Sequence, residues 1–211
     1  MDIEEAIKAY YKLKKRYNSK YNSNKSKIIK SDVSIKEKQI RLNNYFIIIG
    51  PKQDPARIKN FKNPYKAFKK IFNLQKYFIS RGDKSGTHDK ELQIWDVLSI
   101  NPTTYSGKWY LETGSSMGST INIAIGLGGY TLTDRATWIN FGNKKDFSIL
   151  VAGHDSLHNP YGIIAINNDK CPNTKFEKSL IFIKWLLSKK GQKLIASYKI
   201  NGEQLFFPAL K

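Results

Sequence analysis

SRGDKSGTH, residues 80–88, is the stretch that decides the fold of this chain. It follows a short apolar run at 77–79 and leads into an amphipathic segment at 91–95, so the predicted order is strand, small-residue loop, helix. Such a loop leaves the N–H groups of the first helical turn without helical partners, and Arg81 adds a permanent positive charge. Three hydroxyl side chains add neutral donors: Ser80, Ser85 and Thr87. The stretch therefore predicts a site for a small anion.

The same order of strand and helix continues beyond this loop. Apolar or β-branched runs lie at 77–79, 109–113, 129–133, 147–151 and 161–167. Helical patterns lie between them at 85–98, 117–127 and 134–141. Before the loop, a buried strand is predicted at 45–49, and Asn63-Pro64 is typical of the start of a helix that runs through Phe72. Near the end, Ser188 is expected to cap the second of two helices. The pattern predicts an α/β protein with a mainly parallel sheet.

Two further loops have the composition of the first. GSSMGST, residues 114–120, follows a strand-like segment and opens a helix, although a loop of this kind is more often only a turn with a cap. YTLTDR, residues 130–135, contains Arg135, which is either a second cationic donor or part of a structural pair with Asp134. Asp83 is interpreted as an N-cap or as an orienter of Arg81, since a carboxylate would repel an anion. Loops at the carboxyl ends of parallel strands line the ligand crevice of α/β folds.

The N-terminal third differs in composition from the rest. Residues 1–16 fit a short amphipathic helix, whereas 17–44 are polar and without a clear period, which indicates a loop or poorly ordered segment. Of the net charge of +19, residues 1–76 carry +14. An A/T-rich genome would produce the same Lys, Asn, Ile and Tyr bias, but a basic nucleic-acid-associating segment at 8–41 is the alternative hypothesis.

Several classes of function lack a signal in the sequence. Cys171 is the single cysteine, no run approaches ~18 apolar residues, and no motif of nucleophilic or metal-dependent catalysis is present. His154 and His158 have a metal-ligand spacing but lie in a Gly- and Pro-containing loop, and His88 is interpreted as a capping or packing residue. We therefore expect neither an enzyme, nor a metal site, nor a cofactor. Four tryptophans are expected in the core: Trp95, Trp109, Trp138 and Trp185.

Taken together, these motifs resemble the tungstate-binding proteins of ABC importers, a branch of the extracellular solute-binding family. The matching stretches keep the family's order and spacing between residues 43 and 208. They are NNYFIIIGPKQDPA (43–56), FISRGDKSGTHDKEL (78–92), WYLETGSSMGST (109–120), YTLTDR (130–135), HNPYGIIAIN (158–167) and GQKLIASYKINGEQLFFP (191–208).

The resemblance implies a two-lobed periplasmic-binding-protein-like fold that holds tungstate, or a related tetrahedral oxyanion such as molybdate, in an interlobe cleft without a metal. It implies delivery to an ABC permease and a periplasmic or extracellular location, with no nucleic acid partner and no transmembrane segment of its own. Arg81 is similar to the family's charge-neutralising arginine. The other implied ligand-binding residues are Ser85 and Thr87, and less strongly Ser80, Ser115, Ser116, Met117 and Arg135.

The resemblance also implies a domain plan with a departure at the N-terminus. Residues 1–42 form a divergent basic segment, 43–76 belong to lobe I, 77–165 form lobe II, and 166–211 return to lobe I as C-terminal helices. The family's cleavable signal and its Thr/Ser-rich first loop have no counterpart in 1–42, so we expect lobe I to be incomplete. A truncated homologue that no longer binds is the corresponding alternative, and without a signal the chain would stay in the cytoplasm.

Overall fold

The computed structural model describes residues 40–166, 168 and 171–208 of the chain. The helix expected at 1–16 and most of the predicted loop at 17–44 lie outside the described residues. The described chain divides into two compact units: residues 45–159 form the first, and 40–44 together with 160–208 belong to the second.

The first unit is built on strands that the apolar runs predicted. They are β1 (Ile40–Pro51), β2 (Phe78–Ser80), β3 (Tyr110–Glu112), β4 (Thr131–Asp134) and β5 (Phe147–Val151). β1 lies between β4 and β5 and is antiparallel to both. β2 is parallel to β3, and a parallel bridge joins Phe78 to Tyr130 just before β4. The described strands β2, β3, β4 and β5 therefore share one direction, and β1 runs against them.

Helices follow the strands as predicted. They are α1 (Pro64–Asn73), α2 (Gly86–Val97), α3 (Met117–Leu127) and α4 (Arg135–Asn140), with short 3₁₀ helices at Pro102–Tyr105 and Asp155–Leu157. The α1 prediction is confirmed in detail, because the Asn63 side chain accepts the N–H groups of Tyr65 and Lys66 and Pro64 is the first helical residue.

Two cores hold these helices to the strands. Ile47 and Ile49 of β1 pack with Met117 and Ile121 of α3 and with Trp138 of α4. An aromatic cluster lies between α1, α2 and the β2–β3 pair, and its members are Phe68, Phe72, Phe78, Trp95, Trp109 and Tyr110. Such aromatic pairs add packing energy beyond the area that they bury.

The second unit contains the C-terminal elements. β6 (His158–Gly162) enters it, and the remaining elements are α5 (Phe176–Leu187), α6 (Lys189–Ser197), β7 (Lys199–Ile200), β8 (Glu203–Gln204) and β9 (Phe207–Pro208). Leu42 and Asn43 pair with β9, and β7 and β8 form a hairpin. The Ser188 side chain accepts the Gly191 N–H, which confirms the predicted cap of the second helix.

Three predictions differ from the structure in this part of the chain. Residues 40–44 were assigned to a loop but begin β1, because Leu42 and Asn43 have a pairing partner in β9 that no local pattern shows. The strand expected at 161–167 lies earlier, at β6. Trp185 is 40% exposed and stacks on Phe182, whereas the other three tryptophans are buried.

The division into lobe I and lobe II stays a prediction. In the first compact unit, residues 45–76 group with 77–159. The reason is packing, since β1 pairs with β4 and β5, and Phe68 of α1 contacts Phe78 and Trp95. Within the described residues, no helix is both long enough and apolar enough to cross a membrane.

Candidate functional site

Three loops leave the same edge of the first unit's sheet. β2 lies between β3 and the chain that enters β4, and all three run in one direction. Their carboxyl ends therefore meet at one edge, and residues 81–85, 113–116 and 134–135 follow from it. This arrangement brings together the three stretches that the sequence singled out.

The first loop is closed by the side chain of Asp83. Its Oδ2 accepts a hydrogen bond from Arg81 Nη2, and its Oδ1 accepts the Ser85 N–H at 3.1 Å. Burial disfavours the charged carboxylate, but the hydrogen bonds from Ser85 and the positive charge of Arg81 outweigh it and lower the pKa of Asp83. The interpretation of Asp83 as an orienter of Arg81 is confirmed, and its interpretation as an N-cap is wrong.

Ser85 is the N-cap of α2. Its Oγ accepts the His88 N–H at 3.4 Å, so the first-turn N–H groups of Gly86 and Thr87 receive no side-chain acceptor from the cap. The Thr87 side chain is buried in this turn. These donors and the positive end of the helix dipole make the start of α2 suitable for an anion.

The second loop is organised by Thr113, which sequence reasoning did not single out. Its Oγ1 donates to the Arg81 carbonyl at 3.3 Å, accepts the Ser115 N–H at 3.3 Å and lies 2.9 Å from Thr120 Oγ1. Ser115 Oγ donates to the Thr113 carbonyl at 3.0 Å. A hydroxyl residue between a strand and a Gly-Ser loop is the signal that could have revealed it.

The start of α3 is less capped than the start of α2. Ser116 is the N-cap, but its hydroxyl contacts Ser119 Oγ at 3.2 Å and makes no capping hydrogen bond. The first-turn N–H groups of α3 therefore lack an acceptor from the cap. Met117 was expected near the ligand, but its side chain is buried in the apolar core, because Ile47 and Ile121 surround it. Its backbone N–H alone remains at the loop.

Arg81 joins the two loops. Its Nε donates to the Ser115 carbonyl at 3.4 Å while Nη2 is held by Asp83, and the side chain is 18% exposed. Among the described residues, no protein acceptor is bonded to Nη1. The structure thus fixes one guanidinium between two helix starts. The N–H groups of its Nη1 can donate to another acceptor.

A buried polar network lies beneath the first loop. Glu91 of α2 is 2% exposed, and its Oε1 accepts hydrogen bonds from Tyr110 Oη at 2.7 Å and from Trp95 Nε1 at 3.2 Å. Burial raises the pKa of the Glu91 carboxyl to about 7, although the hydrogen bonds that Tyr110 and Trp95 donate favour the charged form. Burial, with the nearby Glu91 charge, also raises the pKa of Tyr110.

Ser80 is fully buried at the end of β2, and its Oγ accepts the Gly82 N–H at 3.2 Å. Its role as a weaker ligand contact stays a prediction. Glu91 was missed because a lone acid usually faces solvent, although its place four residues before Trp95 on one helix face was the available signal.

His88 supports the loop from behind. Its Nδ1 accepts the Lys84 N–H at 3.0 Å, so a neutral ring carries its proton on Nε2. Nε2 is buried and has no hydrogen-bond partner among the described residues. Lys84 itself has a left-handed φ of 59°, and the histidine bond stabilises that turn. The packing role expected for His88 fits these contacts.

The third loop contributes a helix start with its own cap. Asp134 Oδ1 accepts the Thr137 N–H at 2.8 Å and its Oδ2 accepts the Thr137 hydroxyl at 2.6 Å, so Asp134 is occupied as the N-cap of α4. Arg135 is the first residue of that helix and is half-buried at the same sheet edge. Its role as an anion ligand stays a prediction.

The remaining histidines lie outside this edge. His154 Nδ1 accepts the Ser156 N–H at 3.1 Å, and its ring packs edge-on against Tyr65. His158 packs against Tyr45. In the described part of the chain, no group of three or more His, Cys, Asp or Glu side chains is placed to hold a metal ion.

Comparison with known proteins gives the class. Residues 23–190 match the family described as the PBP superfamily domain, and the chain belongs to that superfamily of periplasmic-binding-protein-like folds. The α/β fold class expected from the sequence is confirmed. The match begins at residue 23, ahead of residue 43, where the recognised motifs start.

The particular relatives are tungstate-binding proteins, which confirms the resemblance. The chain is 38% identical over 169 residues to the tungstate-binding protein TupA of Peptoclostridium acidaminophilum, with 78% of this chain and 58% of the relative covered. Against the solved structure of TupA from Desulfovibrio alaskensis, identity is 40% and the TM-score 0.67, with 79% of this chain and 68% of that chain covered.

A further structure, the tungstate ABC transporter from Geobacter sulfurreducens, is 39% identical with a TM-score of 0.70 over 84% of this chain and 74% of that chain. The chain spans 49% to 61% of the length of the curated relatives that it matches.

Proposed function

We propose that this chain binds a tetrahedral oxyanion, tungstate or its close analogue molybdate, at the edge where β2, β3 and β4 end. The observation that carries the proposal is the position of Arg81, fixed between the starts of α2 and α3 by Asp83 and by the Ser115 carbonyl. A guanidinium and two sets of first-turn N–H groups supply charge and directed donors without a metal ion.

The proposed ligand set follows from these contacts. Arg81 neutralises charge, and N–H or hydroxyl donors come from Ser85, Thr87, Ser115 and Ser116, with the Met117 N–H at the second helix start. Arg135 is proposed as a second cation at the same edge. Ser80 is proposed to shape the loop and not to contact the anion, because it is fully buried and its Oγ accepts the Gly82 N–H.

In the proposed physiological role, the chain is the solute-binding component of an ABC importer. It would capture the anion outside the cytoplasm and deliver it to a permease. The names of two relatives, a tungstate-binding protein and a tungstate ABC transporter, support this proposal. The proposal is for a binding protein and not an enzyme. One arginine and several N–H and O–H dipoles compensate the negative charge of the anion and still allow its release. This mode of binding suits a protein that delivers its ligand to a transporter.

Isothermal titration calorimetry with tungstate, molybdate, sulfate and phosphate tests the proposal. We expect tungstate and molybdate to bind and Arg81→Ala to weaken binding by roughly 2–5 kcal/mol, because a charged donor is lost from a partly dehydrated site. Lys66→Ala removes one positive charge from an exposed position of α1 and is the matched control. No heat with any of the four anions, or equal affinities for the Arg81 and Lys66 variants, would contradict the proposal.

A further inference from the structure

His88 is bonded to the start of the anion loop's helix through both its backbone and its side chain. Its backbone N–H donates to Ser85 Oγ at 3.4 Å, and its ring Nδ1 accepts the Lys84 N–H at 3.0 Å. The residue is 7% exposed. Because Lys84 has a left-handed φ of 59°, the bond from the ring holds a backbone conformation that is unfavourable for lysine. His88 thus closes the turn that joins the loop to α2.

This pair of bonds is a variant of the capping box. In the usual box, an N-cap serine or threonine accepts the N–H of the third helical residue, and a glutamate or glutamine at that third position accepts the N–H of the N-cap. Here Ser85 is the N-cap and His88 is the third helical residue, but the ring accepts the N–H one residue earlier, at Lys84. The acceptor is also uncharged, because an imidazole whose Nδ1 accepts a hydrogen bond carries a proton only on Nε2.

The turn at Lys84 leads directly to the contacts that hold Arg81. The N–H of the next residue, Ser85, donates to Asp83 Oδ1 at 3.1 Å. The other oxygen of that carboxylate accepts a hydrogen bond from Arg81 Nη2. Every step from the His88 ring to the guanidinium is therefore a hydrogen bond or a single peptide unit.

We propose that His88 is a positioning residue for the anion loop, whose neutral ring closes the turn at Lys84 without adding a carboxylate beside the anion. The inference rests on the proposed function for its effect on affinity, but not for its effect on the turn. A glutamate at this position could also close the turn, but its negative charge would repel an anion at the start of α2. The loop already contains one carboxylate, Asp83, and the acidic residue of the first turn, Asp89, is exposed to solvent.

His88→Phe separates positioning from packing. Nε2 of the ring is buried and has no hydrogen-bond partner among the described residues, so phenylalanine keeps an aromatic ring and removes only the side-chain bond from Lys84. We expect tungstate binding to weaken by roughly tenfold in calorimetry, because a turn that orients the ligand donors loses its acceptor. If His88 acted only by packing, His88→Phe would bind as the native chain does, and that result would overturn the inference.

His154→Phe is the matched control. The Nδ1 of His154 likewise accepts a backbone N–H, that of Ser156 at 3.1 Å, but this turn lies outside the sheet edge of the proposed site. The His154→Phe chain should therefore bind tungstate with native affinity. An equal loss of affinity in the two phenylalanine variants would show that the effect is not specific to the anion loop, and would overturn the inference.

His88→Gln and His88→Glu test the charge of the acceptor. Both side chains can accept an N–H at the helix start, as in the usual capping box, and they differ only in charge. We expect His88→Gln to restore tungstate affinity to within about threefold of the native chain, and His88→Glu to bind roughly tenfold or more weakly than His88→Gln. Equal affinities of these two variants would overturn the role of the neutral ring.

The turn itself is tested by NMR without any ligand. In the native chain the ¹⁵N shifts of the His88 ring should show a neutral imidazole with its proton on Nε2. The Lys84 amide should exchange with solvent roughly tenfold faster in His88→Phe than in the native chain. A ring that carries its proton on Nδ1, or equal exchange in the two chains, would overturn the inference. If the native chain binds no tungstate, the proposed function fails, and the Lys84 exchange still decides the role of His88 in the turn.

Discussion

The Arg81 guanidinium is bonded to the carboxylate of Asp83, two residues further along the same loop. The Arg81 side chain is 18% exposed and the Asp83 side chain is 20% exposed. The negative charge of Asp83 therefore already neutralises part of the positive charge that Arg81 would offer to an anion. Asp83 thus has two opposing effects: it orients Arg81 toward the Ser115 carbonyl, and its charge repels an anion at the same edge.

Asp83→Asn separates these effects. Asparagine removes the negative charge and keeps one oxygen, which can accept a hydrogen bond at the position of Oδ2 from Arg81 or at the position of Oδ1 from the Ser85 N–H, but not at both. With that oxygen on Arg81, tungstate affinity should rise by about 1 kcal/mol, or roughly fivefold. Calorimetry at low and at physiological salt measures it, with the exposed Asp96→Asn as the control. A weaker affinity in Asp83→Asn would show that the full carboxylate of Asp83, with its charge and both oxygens, is needed to orient Arg81.

Thr113→Val tests whether the two loops act as one site. Valine has the shape of threonine but loses the hydrogen bonds to the Arg81 carbonyl, the Ser115 N–H and the Thr120 hydroxyl. We expect a loss of roughly 1–3 kcal/mol in the free energy of unfolding and weaker tungstate binding. Thr113→Ser retains the hydroxyl and should behave as the native chain in urea denaturation and calorimetry. Unchanged binding in the valine variant would mean that the loops are independent.

The pKa of Glu91 predicts how stability depends on pH. Because this pKa is about 7 in the folded chain against 4.5 for the free group, the stabilisation from the bound proton is fully present below pH 4.5 and is lost as the pH rises through 7. The loss amounts to about 3 kcal/mol. Urea denaturation between pH 5 and 8 should show this decline, and Glu91→Gln should remove it. An identical decline in Glu91→Gln would assign it to another group.

Tyr130 joins the chain before β4 to the turn after β1. Its hydroxyl donates to Asp54 Oδ1 at 2.9 Å and accepts the Ala56 N–H at 2.7 Å, and burial raises its pKa. Tyr130→Phe leaves the buried Ala56 N–H without this acceptor, so the free energy of unfolding should fall by roughly 1–3 kcal/mol. Tyr77→Phe changes a tyrosine that is 46% exposed and should have little effect. Equal stability of the two variants would contradict the contribution of this bond.

The elements of the first unit could be predicted because their signals are local. Apolar runs marked β2 to β5, and Asn63-Pro64 and Ser188 marked helix starts, since capping depends on residues within one turn. Strand direction could not be predicted for β1, because an apolar run is the same in either direction. The beginning of β1 at Ile40 was missed for a related reason, as its pairing partner β9 lies more than 160 residues away in the chain.

For the site, the sequence by itself determined the chemistry: a strand, a loop with Arg81 and hydroxyl residues, and a helix start, repeated at 114–120. Charge, donors and glycines are properties of the residues and need no partner to be recognised. Only the tertiary structure decided which of them meet. It placed Met117 in the core, buried the Ser80 side chain, paired Arg81 with Asp83 and set Arg81 between two helix starts. These relationships depend on β2 and β3 lying side by side, a contact between segments about 30 residues apart that the packing of the whole unit selects.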